Sequence, residues 1–252
     1  MTKHSSILLI SDHPEMASFV LDRIRQLNVD QEILSLVYTQ EGPQAQALCD
    51  LGGRLVDLSC SEEISTIIRS YSLVLSIHCK NIFPSILVDQ VLCINLHPGY
   101  NPFNRGWFPQ AFSIINELPC GATLHRMTTQ IDHGEIIAQN EISISDTDTS
   151  LDVYRNIIAA EKRLIVDNLP KILMGTFTGR EPISTGTFNS KKDYAKLCQL
   201  NLQDIDTLEN HLKLLRAVSH GDFQNAYITT TDGQRRYLKI HFFEDPDGKP
   251  ID

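Results

Sequence analysis

The stretch LVLSIHCKNIFPSILVDQVLCINLHPGYNPFNRGWFPQ, residues 73–110, decides the fold. It holds two near-continuous apolar runs, LVLSIH (73–78) and VLCINLH (91–97). Runs without polar alternation are what central parallel strands show when both faces of their sheet are covered. The second run then opens into a segment of prolines, glycines and asparagines, with a histidine and an arginine, a composition unsuited to helix or strand. Toward the N-terminus, SILLIS (6–11) reads as a strand. PEMASFVLDRIRQL (14–27) carries Phe19, Val20, Ile24 and Leu27 on one helical face, with Ser11 or Asp12 as the expected cap and Pro14 in the first turn. ILSLVYT (33–39) and GRLVDL (53–58) read as strands, and SEEISTIIRSY (61–71) as a helix with a serine cap and an acidic first turn. This βαβ alternation predicts a doubly wound, Rossmann-like α/β domain.

Toward the C-terminus a helix is expected from Trp107 to about Asn116, followed by two apolar runs, CGATLHRM and EIIAQNEISI, that flank TTQIDHGE (128–135). SLDVYRNIIAAEKRLIVDNLPKIL (150–173) is a long amphipathic helix that stops near Gly175, with Glu161 assigned to its solvated side in preference to a contact with a ligand's amine. The turn-rich GTFTGREPISTGTF marks the predicted boundary between a main domain, 1–180, and a small C-terminal α+β region, 181–252. That region holds a helix around 204–218, capped by Asp204 or Asp206, and a β-hairpin in AYITTTDGQRRYLKIHFF that turns at Asp-Gly. The hairpin's Tyr227, Ile228, Tyr237, Leu238, Ile240, Phe242 and Phe243 suit a dimer interface, or packing onto the hairpin's own domain.

With 252 residues, 42% of them hydrophobic and 21% charged, the chain has the composition of an ordinary globular protein. No apolar run approaches the ~20 residues of a membrane span, and the short run at 7–10 reads as a first strand rather than a signal peptide. Its net charge of −9 argues against a nucleic-acid partner, which needs a basic face to release counterions. Six cysteines without a CxxC pair read as reduced core residues, with neither a disulfide framework nor a metal site.

In open α/β sheets ligands bind at the carboxyl ends of the strands. Asn95 and His97 stand two residues apart at such an end, so their side chains share a face. An amide that donates to an oxyanion, beside an imidazole that shuttles protons, suits acyl transfer. Asp132 lies on a loop able to return to the same crevice, where a carboxylate would orient His97 and favour its charged form. These residues equally suit structural roles: a histidine closing a strand, an asparagine capping a turn, an Asp-His-Gly hairpin. His125 and His133 are read as structural.

The strings INLHPGYNPFNRGWFPQ and CGATLHRMTTQIDHGEIIAQNEISISDTDT resemble the signature of the folate-dependent formyltransferases: Asn-x-His-Pro at a strand end, an Arg-Gly further on, and Gly-x-Thr-x-His-x-Met leading to an Asp loop. The resemblance implies catalytic roles for Asn95, His97 and Asp132, and transfer of a formyl group from N10-formyltetrahydrofolate to an amine. Asn95 and a protonated His97 would stabilise the oxyanion while Asp132 helps to remove the amine's proton. It places the folate between the loop at 76–84, with Ser76, Lys80 and Ile82, and the loop of Asp132.

The string HPGYNPFNRGWFPQAFSI and the tail from Phe188 to Ile228 are similar to the sugar-nucleotide N-formyltransferases that act on dTDP-linked 4-amino-4,6-dideoxyglucose. That branch implies a nucleotide-sugar substrate, a cytoplasmic homodimer and a role in O-antigen synthesis. A 3-amino sugar nucleotide, methionyl-tRNA, and a non-catalytic ligand-binding relative are the alternatives; the near-neutral tail, with nine Lys and Arg against ten Asp and Glu from Ser190 onward, disfavours tRNA. A diphosphate needs cationic donors, for which Arg105, Lys191, Lys192 and Arg216 are candidates. A thymine needs an aromatic platform, for which Trp107, Phe188, Tyr194 and Tyr227 are candidates. Gly106 joins this set through the Arg-Gly pair. Each of these also suits a surface ion pair or core packing. The helix start in SDHPEM (11–16) suits phosphate, although Asp12 opposes it.

Overall fold

The computed structural model describes residues 2–243. Strands β1 (Ile7–Ser11), β2 (Leu34–Tyr38), β3 (Arg54–Leu55), β4 (Leu73–Ile77) and β5 (Leu92–His97) alternate with helices α1 (Pro14–Gln26), α2 (Ala45–Asp50), α3 (Ser61–Ser70) and α4 (Ser85–Gln90). A non-regular segment with the two-residue β6 (Arg105–Gly106) leads to α5 (Pro109–Asn116), β7 (Cys120–Arg126), β8 (Ile136–Ile142) and the 25-residue α6 (Ser150–Met174). Then come β9 (Phe188–Asn189), α7 (Lys191–Cys198), α8 (Leu208–Val218) and a hairpin of β10 (Tyr227–Thr229) and β11 (Arg235–Tyr237).

The main sheet has the order β3-β2-β1-β4-β5-β7-β8. Its first five strands are parallel; β7 and β8 each run antiparallel to the preceding neighbour. The strand order reverses between β1 and β4, where a doubly wound sheet opens its crevice.

Strand alternation sorts the side chains onto two faces. Ile7, Leu9, Leu73, Leu75, Ile94, Leu96, Ala122 and Leu124 meet Val20, Phe112, Ile157 and Leu164 of α1, α5 and α6 in one core. Leu8, Ile10, Val74 and Cys93 meet Ile64, Ile67 and Leu87 of α3 and α4 in a second. The first core continues into the C-terminal region through Tyr194, Cys198, Ala217, Val218 and Ala226. No helix among the described residues is long and apolar enough to cross a membrane.

Three expected caps are supplied by other residues. His13 caps α1, its Nδ1 accepting from Met16 N at 3.3 Å; Asp12 is drawn inward by other donors. Cys60 precedes α3, so Ser61 lies in its first turn. Thr207 caps α8 in place of Asp204 or Asp206. The long helix starts in a capping box of Thr149 and Asp152 and ends at Gly175 in the left-handed conformation.

Candidate active site

Asn95 and His97 project from β5 onto the same face as Cys93, beyond the reach of α3 and α4. Ser76 on β4 and His125 on β7 lie in register with Asn95, and Thr123 with His97. The sheet face therefore changes from apolar to polar where its cover changes from helices to loops. The Asp132 carboxylate reaches this polar patch: Oδ1 lies 3.5 Å from His97 Nδ1 and 3.7 Å from His125 Nε2. Asn95 Nδ2 donates to Asp132 Oδ1 at 3.3 Å and lies 3.2 Å from His125 Nε2. His125 Nδ1 sits 3.0 Å from the Arg126 carbonyl, and its Nε2 faces both Asn95 Nδ2 and the Asp132 carboxylate. Asn95 Nδ2 thus lies between His125 and Asp132. His125, read from the sequence as structural, is a member of the cluster; the signal was its spacing of two from Thr123 in Gly-x-Thr-x-His.

Burial drives His97 down to about 4, against the pull of Asp132. Burial alone would raise the Asp132 carboxyl, but His97, His125 and the Gly106 N–H outweigh it and hold it below the usual carboxylate range. At neutral pH the pair is an ionised carboxylate beside a neutral imidazole. The expectation of a charged His97 is corrected: desolvation of a fully enclosed ring exceeds the attraction of one carboxylate.

Two loops hold Asp132 in place. Its Oδ2 accepts from Gly106 N at 3.1 Å, its carbonyl from Asn101 Nδ2 at 2.9 Å, and the Ile131 carbonyl from Arg105 Nη1 at 2.7 Å. Thr123 Oγ1, fully buried, donates to Gly99 O and accepts from Asn101 N, pinning the other loop to β7. Of six non-glycine residues with positive φ among the described residues, three (Asn104, Phe108 and Asp132) lie in or beside these loops and a fourth, His78, follows the neighbouring strand β4. Such conformations cost on the order of 1–3 kcal/mol each and persist where surrounding contacts over-determine them.

A second histidine–carboxylate pair lies at the β1/β4 switch point. His78 Nε2 is 2.7 Å from Glu161 Oε2, with His13 and Tyr154 around the ring at centroid distances of 5.0 and 6.4 Å. Glu161 is fully buried and its Oε1 has no partner among the described residues. Burial raises its pKa, opposed by His78. Its assignment to the solvated side is therefore corrected. The missed signal was spacing: Glu161 falls four residues after Ile157 and four before Ile165, on the buried stripe of α6. Asp12 accepts from Thr39 N, Thr39 Oγ1 and Lys80 N at 2.6, 2.7 and 2.8 Å, tying the loops after β1, β2 and β4 together.

A family profile described as "Formyl transferase" matches residues 58–169, and one described as "N-formyltransferase dimerization C-terminal domain" matches 193–244. The dTDP-4-amino-4,6-dideoxyglucose formyltransferase of Mycobacterium tuberculosis is 42% identical over 180 residues, 71% of this chain and 77% of that protein. The chain belongs to the formyltransferase family. The crystal structure of a sugar N-formyltransferase from Shewanella is 39% identical at a TM-score of 0.90, over 95% of this chain and 99% of that one. A 4-N formyltransferase from Francisella tularensis is 34% identical at 0.87, over 95% and 98%. In fold alone the likeness extends to PseJ from Anoxybacillus kamchatkensis, solved with UDP-4,6-dideoxy-4-formamido-L-AltNAc and tetrahydrofolate, at 22% identity and a TM-score of 0.59 over 76% and 89%.

The formyltransferase deals with its other expected site residues unequally. Ser76 is buried beside Asn95. Lys80 contributes its backbone N–H to Asp12. Ile82 stands 72% exposed at the rim, while Phe83 joins the second core. Lys191 Nζ lies 3.8 Å over the ring of Trp107, and Lys192 is exposed. The Arg105 guanidinium is engaged by the carbonyls of Ile131 and Thr185 rather than free for a diphosphate. Tyr194 is buried and stacked on Phe108 at 4.0 Å, which removes it as an open platform. Arg216 donates to the carbonyls of Asp148 and Ser145, fastening the segment before α6. Tyr227 pairs with Tyr237 in the hairpin.

Proposed function

We infer that this formyltransferase moves the formyl group of N10-formyltetrahydrofolate to the C4 amine of a dTDP-linked 4-amino-4,6-dideoxy sugar, most closely dTDP-4-amino-4,6-dideoxyglucose. The observation that carries this reading is the convergence of Asn95, His97, His125 and an ionised Asp132 on one polar patch. The relatives' named activities, dTDP-4-amino-4,6-dideoxyglucose formyltransferase and 4-N formyltransferase, supply the acceptor. The tetrahydrofolate bound by PseJ supports the donor.

In this mechanism the neutral amine attacks the formyl carbon and its nitrogen forms the new C–N bond. Asp132 takes the amine's proton, directly or through a water. One Asn95 N–H leaves its 3.3 Å bond to Asp132 and turns to the developing oxyanion. His97, neutral beforehand, relays the proton to N10 as the old C–N bond breaks, and tetrahydrofolate leaves. Glu161 Oε1, buried without a partner, accepts an N–H or O–H of the sugar. Ile82 and Ser76 border the folate, and Trp107 with Lys191 and Lys192 borders the nucleotide.

We also assign the chemistry to residues 1–180 and self-association to 181–252, as a homodimer. The apolar groups exposed in that region, Phe223 at 69% and Phe243 at 85%, support a second copy as the cover, as does the dimerization profile. Six free cysteines fit a reducing compartment, the cytoplasm.

Mixing the protein with formyl-folate and the 4-amino sugar nucleotide, and following the absorbance of tetrahydrofolate, tests the reading. Turnover is expected with the 4-amino and not the 3-amino isomer. Turnover with the 3-amino isomer alone would reassign the acceptor. No turnover with any amino-sugar nucleotide would favour a binding protein.

A further inference from the structure

The loop that carries Asp132 takes three bonds from residues 101–106. A strap from beyond α6 braces that segment in turn. β9 lies parallel to β6, pairing Phe188 with Arg105 and Asn189 with Gly106. Thr187 N donates to Pro102 O at 3.1 Å, Arg105 N to Thr187 O at 3.0 Å, and Trp107 N to Asn189 O at 2.9 Å. The Thr187 hydroxyl accepts from Asn104 N at 2.7 Å. The Arg105 guanidinium forks between Thr185 O on the strap and Ile131 O beside Asp132.

The backbones approach too closely for side chains at two points. A Cβ at Gly186 would lie 1.8 Å from Pro102 O, and one at Gly106 2.5 Å from Asn189 O; both residues have positive φ. The strap is anchored beyond by the Ser190–Asp193 capping box of α7 and by Tyr194 on Phe108. Asn104, 1% exposed, ties the junction to α5 through Ser113 and Asn116.

We propose that the strap 185–190 belongs to the formyl-transfer site by position, with Thr187 as the positioning residue that fixes Asp132 through the Asn104–Arg105–Gly106 backbone. The C-terminal region then positions chemical groups that residues 1–180 supply, and its docking and the placement of the carboxylate are one event. The inference rests on the formyl-transfer reading given above for Asp132.

Thr187→Val keeps the volume and removes the hydroxyl. Its kcat is expected to fall at least about tenfold with KM for both substrates within about threefold, because displacing a reacting group costs rate more than binding. Thr187→Ser should restore the rate. On an Asp132→Asn background, Thr187→Val should cause no further loss, since its effect passes through that carboxylate. Amide exchange at residues 128–134 should quicken in Thr187→Val, a readout that needs no substrate and holds whatever the acceptor proves to be. Trp107, the sole tryptophan, reports strap undocking by its emission. Wild-type kcat in Thr187→Val, the same fold-loss on the Asp132→Asn background, or unchanged exchange at 128–134 would each overturn the proposal. If Thr187→Val does not fold, Arg105→Lys, which breaks the Thr185–Ile131 fork and keeps the charge, takes its place in the same cycle.

Discussion

Two buried histidine–carboxylate pairs stand at the ends of neighbouring strands, His97–Asp132 and His78–Glu161, and they are tuned in opposite directions. Asp132 has His97, His125 and the Gly106 N–H against its burial, and its carboxyl is held down. Glu161 has His78 alone, at 2.7 Å, with one oxygen unpartnered, and its carboxyl is pushed up. Burial raises both; two histidines and a backbone N–H overcome it at Asp132, and one histidine does not at Glu161. The difference separates roles. Asp132 stays ionised, so it is always in the form that accepts a proton, and the under-bonded carboxyl of Glu161 suits recognition of a polar group that satisfies its free oxygen.

Asp132→Asn should produce the largest effect, a loss of about a thousandfold in kcat with the fold retained by circular dichroism, because a general base typically contributes 10²–10⁴. A rate near wild type would dissolve the contrast between the pairs. His97→Gln should follow, with a loss of about a hundredfold in single-turnover rate. Glu161→Gln keeps the shape and removes the charge. It should raise the acceptor's KM about tenfold, one hydrogen bond's worth, with kcat and the folate KM little changed. A kcat collapse in this variant instead would make Glu161 part of the proton path.

The smallest effect is on stability. His97 is held at about 4 when folded, against an ordinary value of 6.5. Between those values the unfolded chain binds a proton that the native ring refuses. Stability is therefore intact above pH 6.5 and falls as pH drops toward 4, by up to about 1.4 kcal/mol per pH unit. His13, also lowered to about 4, adds a parallel loss. Urea midpoints measured across this window should slope for the wild type and slope less for His97→Gln.

Much of this was legible locally. The parallel core strands were written in uninterrupted apolar runs, and the shared direction of Asn95 and His97 in their spacing of two. The stripe Val153, Ile157, Ala160, Leu164 announced α6. Glu161 lay on that stripe and was still assigned to solvent, because a carboxylate on a helix is ordinarily solvated and its partner was 83 residues away. The sequence reading gives no element to 191–198, where α7 forms, although Ser190 and Asp193 spell its capping box. The caps of α1 and α3 were misplaced by one or two residues for the same reason: several residues near a helix start can cap it, and tertiary donors decide which are free.

By itself, then, the sequence determined most of the elements, the parallel core of the sheet, and the strand end at which polar groups gather, since each follows from the period of apolar residues along a few turns of chain. Only the tertiary structure decided which groups meet there. The charge state of His97, the membership of His125, the burial of Glu161 and the bracing of Asp132 by Thr187 and Arg105 depend on contacts across tens of residues. Desolvation and hydrogen bonding are properties of the assembled neighbourhood, and no local pattern along the chain encodes them.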